Sequence, residues 1–229
     1  MPRFAGCLTI FLLCFPVLAG AARPFVTDDA RVVDPGGCQV ETFAKRQRKL
    51  DEHEFWFLPA CNPLGLAELT VGRAWVDGTA PGDSRFNLFQ AKTLLKPLVT
   101  NGSGYALTLG AARVSPFQGR ATTNPYLNAI GSFSFADDRL VVHANLGANA
   151  DRQLGMTRGT WGLGAEIVLH PRIIAIVESY GQRADKPTRH LGLRLWVVPN
   201  HVQVDATVGE QNSGPPGRVF HSIGMRLLF

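Results

Sequence analysis

Every second residue counted back from the end gives Phe229, Leu227, Met225, Ile223, His221 and Val219. The interleaved set is Leu228, Arg226, Gly224 and Ser222. One set is mostly apolar and the other is small or charged. A period of two with one apolar face is a β-strand. This strand ends on an aromatic residue with no polar tail, which a water-soluble sheet seldom needs. The closing strand of an outer-membrane β-barrel does need it, with one face toward lipid and the other toward a polar lumen.

The same alternation recurs along the chain. It predicts twelve strands, at 37–48, 52–59, 67–77, 86–96, 104–114, 126–136, 139–149, 160–170, 172–182, 189–199, 201–210 and 218–229. Leu140, Val142, Ala144, Leu146 and Ala148 alternate with Val141, His143, Asn145, Gly147 and Asn149. Leu163, Ala165, Ile167 and Leu169 alternate with Gly162, Gly164, Glu166 and Val168. Phe89, Ala91, Thr93 and Leu95 oppose Gln90, Lys92, Leu94 and Lys96. Arg73 and Glu178 sit among apolar neighbours, and the alternation leaves their faces open. Glycines and charges interrupt every candidate 3.6-residue stripe, so no long amphipathic helix is expected. Charged residues are 18% of the chain, below the usual quarter, with Gly 24 and Pro 15. That mixture suits many short strands and turns. The formal charge of +5 is scattered, with no basic cluster of the kind that marks nucleic-acid binding.

Loop lengths give an orientation. With the N-terminus in the periplasm, the turns at Asp137-Asp138, His170-Pro171-Arg172 and Pro199-Asn200 are tight and periplasmic. The links at 78–85, 115–125, 150–159, 183–188 and 211–217 are longer, polar and extracellular, as in bacterial outer-membrane barrels. The short outer link near Lys49-Leu50-Asp51 and the longer inner turn at 97–103 are exceptions. The expected fold is an all-β, transmembrane, antiparallel up-and-down β-barrel of about 12 strands. A periplasmic β-sandwich or lipocalin-like barrel would need polar outward faces at 163–169 and 202–208.

The N-terminus reads as an export signal over 1–21. Arg3 is followed by an apolar run to Leu18 and a small-residue cleavage site near Ala21. Residues 22–36 follow as a periplasmic leader or a small plug, and 37–229 form the barrel. Cys7 and Cys14 leave with the signal. Cys38 and Cys61 lie at the same end of the first hairpin and permit one disulfide; two free thiols are the alternative.

Strand phase places ten charged or titratable residues inside: Glu41, Glu54, Glu68, Lys92, Lys96, His143, Glu166, Arg194, Asp205 and Arg226. Both signs occur, so they either cross-link the wall or line a water-filled passage. Of the histidines only His143 falls clearly inside. No pair has metal-ligand spacing, and there is no G-x-S-x-G elbow. No catalytic residue, metal or cofactor is expected, and an enzyme would need a Ser or Asp beside His143. Trp56, Phe57, Trp75, Phe86, Tyr105, Tyr126, Trp161, Tyr180, Trp196, Phe220 and Phe229 are expected in aromatic girdles.

Arg23-Pro24-Phe25-Val26-Thr27-Asp28-Asp29-Ala30, Gly36-Gly37-Cys38-Gln39-Val40-Glu41, Leu58-Pro59-Ala60-Cys61-Asn62-Pro63 and Glu68-Leu69 form a recognisable set. With Lys92-Thr93-Leu94-Leu95-Lys96, they resemble the bacterial outer-membrane family named for the MetA pathway of phenol degradation. The specific part of the resemblance is residues 23–96. It implies a transporter-like barrel for hydrophobic or aromatic small molecules. The first expectation for function is therefore a passive channel or transporter in a Gram-negative outer membrane. The second is a structural or surface-interaction barrel with a closed lumen. Expected partners are outer-membrane lipid and lipopolysaccharide, the barrel-assembly machinery and a hydrophobic small molecule. Nucleic acid is not among them.

Overall fold

The computed structural model describes residues 25–47, 51–78, 83–116, 119–211 and 218–229. The expected signal at 1–21, with Cys7 and Cys14, lies outside the described residues. So do 22–24 of the leader and parts of four outer links, at 48–50, 79–82, 117–118 and 212–217.

Twelve strands form one closed antiparallel barrel. They are β1 (Cys38–Gln47), β2 (Glu52–Cys61), β3 (Glu68–Asp77), β4 (Ser84–Lys96), β5 (Ser103–Ser115) and β6 (Thr122–Phe135). The second half is β7 (Leu140–Asp151), β8 (Met156–His170), β9 (Ile173–Gln182), β10 (Thr188–Val198), β11 (Val202–Gln211) and β12 (Arg218–Leu228). Each strand pairs with its sequence neighbours. The seam closes where β1 meets β12, from Gln39 opposite Leu228 to Gln47 opposite Phe220. Cys38 N–H donates to Phe229 O at 2.7 Å and Phe229 N–H to Cys38 O at 2.9 Å, finishing the seam. Closure leaves no strand edge, which the hydrocarbon region demands.

Alternation sorts the side chains as the sequence predicts. Phe55, Phe57, Val71, Phe89, Leu109, Leu127, Leu146, Leu163, Val177, Leu191, Val208 and Ile223 all stand exposed on the outer face. An apolar belt of that extent requires lipid around it, and the barrel is built for the outer membrane. Arg73 faces outward over the Trp75 ring at 5.2 Å, and Glu178 faces inward. Both had ambiguous faces in the alternation.

Three β-bulges lie at the periplasmic ends of β4, β8 and β10, at Leu94/Lys96, Val168/His170 and Trp196/Val198. An extra residue reverses the phase beyond it. Lys96 therefore leaves the lumenal face expected for it. Its ammonium sits 5.8 Å over the outward Tyr105 ring and donates to Ser103 Oγ at 3.0 Å.

The loops alternate less than the sequence suggests. β7 and β8 pair as far as Asp151 opposite Met156, so most of the expected long outer link at 150–159 is strand. Residues 136–139, 171–172 and 199–201 are tight turns at the Cys38 end. Ala136, Asp137 and Asp138 all adopt positive φ there, and Asn200 does so in its turn. Short polar side chains tolerate that conformation better than most.

Cys38 and Cys61 face one another across β1 and β2 and are joined by a disulfide. Their Cα atoms are 4.0 Å apart.

Candidate functional site

The lumen is occupied by the chain's own N-terminal segment. Beginning behind the seam at Gly37, residues 25–36 run inward from the periplasmic end to mid-barrel. Phe25, Thr27, Asp28, Asp29, Ala30 and Val33 are buried there. The segment forms no strand, so its backbone polar groups need partners from the wall. The lumenal side chains supply them. Glu178 on β9 accepts the N–H groups of Val26, at 3.0 Å, and of Thr27. Asn145 on β7 accepts Asp28 N–H at 2.6 Å and donates to Asp28 O at 2.8 Å. Ser132 on β6 accepts Ala30 N–H at 2.8 Å, and Glu68 on β3 accepts Val33 N–H at 2.9 Å. Asn62, just past β2, donates to Val33 O at 2.9 Å.

Charge pairs reinforce this lacing. Lys92 on β4 lies 2.7 Å from Asp28 Oδ1 and 3.3 Å from Asp29 Oδ1. Arg31 lies 3.0 Å from Glu166 on β8, which also meets Arg194 on β10 at 2.6 Å. Thr108 on β5 donates to Asp28 at 3.2 Å. A buried charge is tolerable only when paired and hydrogen-bonded, and these groups meet that condition through the segment.

Close packing completes the seat. A Cβ on Gly162 would lie 2.5 Å from Thr27 Oγ1, and one on Gly164 2.6 Å from the Phe25 ring. Two glycines on the inner face of β8 thus admit the segment. Phe25 meets the His143 ring edge-on at 5.4 Å.

The residues expected in the lumen divide as follows. Glu68, Lys92, His143, Glu166 and Arg194 gather at the segment. Glu41 and Arg226 pair at 3.4 Å near the seam, where Arg226 also donates to Gln39 at 2.7 Å. Glu54 stands apart in the outer half, accepting from Lys45 at 2.6 Å and from the Trp56 indole at 2.9 Å. Asp205 is buried on β11. Lys96 is outside the lumen, as above.

His190 corrects the expectation that only His143 faces in. It is buried 3.1 Å from Glu178, edge-on to Tyr180 and Phe220. The alternation left the face of Glu178 open, and it gave Asn145 and Ser132 no role. Counting by twos from Tyr180 would have found Glu178; Asn and Ser carry no charge to draw attention.

The aromatic expectation also changes. Trp56, Phe86, Tyr126, Tyr180 and Phe220 point inward rather than to a girdle. Phe43, Trp56 and Phe86 stack at 5.7 and 5.8 Å, with Leu58, Val76, Leu88 and Tyr126 around them. The outer half of the lumen is therefore apolar along β1–β6. Across from it, Asn128, Asn145, Asn149, Thr160 and Tyr180 border a cavity of about 60 Å³ whose floor is Val26 and Thr27.

Ser132 Oγ lies 2.8 Å from His143 Nδ1, and His143 Nε2 is 4.0 Å from Glu166. An oxygen that accepts Ala30 N–H can still donate its own proton to Nδ1. This chain of contacts connects the segment to β6, β7 and β8. No group of metal-ligating side chains occurs among the described residues.

No curated protein sequence matches the chain. Among solved structures, a KdgM porin in complex with disordered oligogalacturonate is similar, with a TM-score of 0.62 at 13% identity over 83% of this chain and 99% of that one. A NanC porin gives 0.58 at 9% over 82% and 98%. Outer membrane phospholipase A from Escherichia coli gives 0.50 at 12% over 92% and 95%. At such identities these likenesses speak of the fold alone, and the fold is a porin-like barrel. A family model spans nearly all of the sequence, over residues 9–228, and the chain belongs to that family, described as Uncharacterised conserved protein UCP029691.

Proposed function

We propose that this barrel is a small-molecule channel of the outer membrane whose passage is closed at mid-height by residues 25–33. One observation carries the reading: the segment takes no part in wall pairing, yet side chains from β3 to β9 are spent on holding it. Its withdrawal would leave the wall intact and expose a hydrated, charged ring. That is the behaviour of a gate rather than of a structural strand.

The substrate we infer is uncharged or amphipathic, with an apolar or aromatic part. The stacked Phe43, Trp56 and Phe86 face the upper lumen and offer it an apolar wall. The resemblance to the phenol-degradation family supports the same choice. The KdgM porin binds an oligogalacturonate, a polyanion. A polyanion wants an excess of lumenal cations, whereas here Lys92, Arg31, Arg194 and Arg226 each lie beside a carboxylate.

We read Ser132, His143 and Glu166 as part of the clamp and not as a hydrolase. The serine is fully buried and its oxygen already receives Ala30 N–H. Lipopolysaccharide around the wall and folding through the barrel-assembly machinery belong to the same proposal, as does signal cleavage near Ala21.

The aromatic cluster favours a second reading, a permanently closed structural barrel. Planar-bilayer conductance separates the two. The channel reading expects brief, small openings from the whole protein and steady, larger ones after deletion of 25–33. A deletion variant that keeps heat-modifiable gel migration but stays silent would establish the closed barrel instead.

A further inference from the structure

Arginines far apart in sequence meet on the outer wall of β3, β4 and β5. Cross-strand register sets Arg73 opposite Asn87, and Asn87 opposite Arg113, so the three share one row. The next row toward the extracellular rim holds Trp75 opposite Arg85. Arg73, Arg85, Asn87 and Arg113 are all exposed and outward by strand phase. Neighbouring strands are about 4.8 Å apart, so Arg73 and Arg113 stand roughly 10 Å apart with Arg85 between and above them. Their long side chains can converge on one group. Asp77 and Asp83 flank the patch at the strand ends. Among the described residues none of the three arginines pairs with a carboxylate; Arg73 lies over the Trp75 ring, at 5.2 Å.

The height of the patch identifies its surroundings. On β5 the outward residues below Arg113 are Ala111, Leu109 and Leu107, ending at Tyr105 with Lys96 over its ring. Tyr105 and Lys96 mark the periplasmic interface. From Tyr105 to Arg113 a strand tilted by roughly 40° climbs roughly 20 Å, near the height of a barrel's apolar belt. Val71 and Phe89 fill the row just below the arginines. The patch therefore stands at the outer margin of the hydrocarbon, where headgroups begin.

We propose that Arg73, Arg85 and Arg113, with Asn87 as a neutral donor, form a binding site for a phosphate of lipid A in the outer leaflet. Guanidinium groups match phosphate oxygens in a two-pronged geometry, and Asn87 adds an amide N–H. The apolar row beneath suits the acyl chains of the same molecule. The site is independent of the gate and would exist in an open or a closed barrel.

The test measures binding of bisphosphorylated lipid A to the full-length protein in detergent, by native mass spectrometry. Comparison ligands are lipid A stripped of phosphate, phosphatidylglycerol and inorganic phosphate. The expected result is a retained lipid A adduct, with the stripped lipid, phosphatidylglycerol and free phosphate all bound more weakly. Each arginine near such a surface contributes about fivefold, so R73Q/R85Q/R113Q should weaken binding by roughly a hundredfold. The outward Arg189→Gln on β10 should leave binding unchanged. Equal binding of intact and stripped lipid A by the unaltered protein would overturn the proposal without any variant. So would an unchanged affinity in a folded triple variant, or a comparable loss in Arg189→Gln.

Discussion

Lys92 Nζ lies 2.7 Å from Asp28 Oδ1, and both side chains are buried in the middle of the barrel. One partner comes from the wall and the other from the segment inside it. Asp29 shares the same ammonium at 3.3 Å. Removing the cation strands Asp28, while Asp29 keeps the Arg31 guanidinium at 3.3 Å, and breaking a buried pair costs about 3–5 kcal/mol. Lys92→Met should therefore loosen the segment and spare the wall. Hydrogen exchange at Val26–Val33 should speed up by orders of magnitude, while the amides of β4 and β5 keep their protection. Unchanged exchange in the segment would show that the backbone bonds to Glu178, Asn145 and Ser132 suffice without the ion pair.

A second relationship lies outside the membrane. Asp138, in the turn between β6 and β7, accepts from Thr100 Oγ1 at 2.6 Å and from Ser134 Oγ. These hydrogen bonds, Ser134 first and Thr100 next, hold its carboxyl below the usual range. A depressed pKa gives stability that is present above the unfolded carboxyl value and lost as pH falls through the folded one. The link between turns 97–102 and 136–139 should thus be strongest at neutral pH and weaken in acid, where the bond from Asp137 N–H to Asn101 Oδ1 remains. Amide exchange at Asn101, whose N–H donates to Ser134 Oγ at 3.1 Å, should rise on acidification beyond the intrinsic rate change. Asp138→Asn should abolish that extra dependence. A pH profile shared by the variant and the unaltered protein would assign it to another group.

What was legible in the sequence follows from period two. Val202, Gln203, Val204 and Asp205 declare their faces one by one, so strand number, closure and most lumenal charges could be read directly. Lys96 could not, because a bulge leaves no local mark and reverses every residue beyond it. Trp56 and Phe86 were misread for another reason. An aromatic residue has a natural place in a girdle, and nothing local says that the lumen opposite is apolar. The Arg73, Arg85 and Arg113 patch was invisible because its members are neighbours only through cross-strand register. The seat of 25–33 depends on side chains from seven strands, β3 to β9, a property of the closed barrel.

The Cys38–Cys61 disulfide pins β1 to β2 directly beside the seam, where Cys38 also exchanges two backbone hydrogen bonds with Phe229. The bridge spans a sequence separation of 23 residues. Loop-closure entropy alone predicts about 3 kcal/mol for such a loop. C38S/C61S should lower the midpoint of urea unfolding in detergent by a corresponding amount, with the barrel still forming. An equal midpoint would mean that the seam's ladder already restricts the unfolded hairpin. Loss of amide protection at Phe229, whose N–H donates across the seam to the carbonyl of residue 38, would show the bridge acting on closure itself.

The gate reading makes one further demand, which a covalent lock can meet or refute. A Cβ built on Gly162 lies 3.2 Å from Thr27 Cβ. A disulfide wants about 3.5–4.5 Å between these atoms, so T27C/G162C needs a shift of only a few tenths of an ångström. Both positions are buried mid-lumen, away from the native bridge at the periplasmic end. Oxidation should join them, which peptide mapping can verify, and fix the segment across the passage. Conductance should then fall below that of the unaltered protein and return when dithiothreitol is added. The unaltered protein with dithiothreitol controls for reduction of Cys38–Cys61. A verified bridge with undiminished conductance would mean that solutes pass elsewhere, and that the contacts between residues 25–33 and the wall serve stability rather than gating.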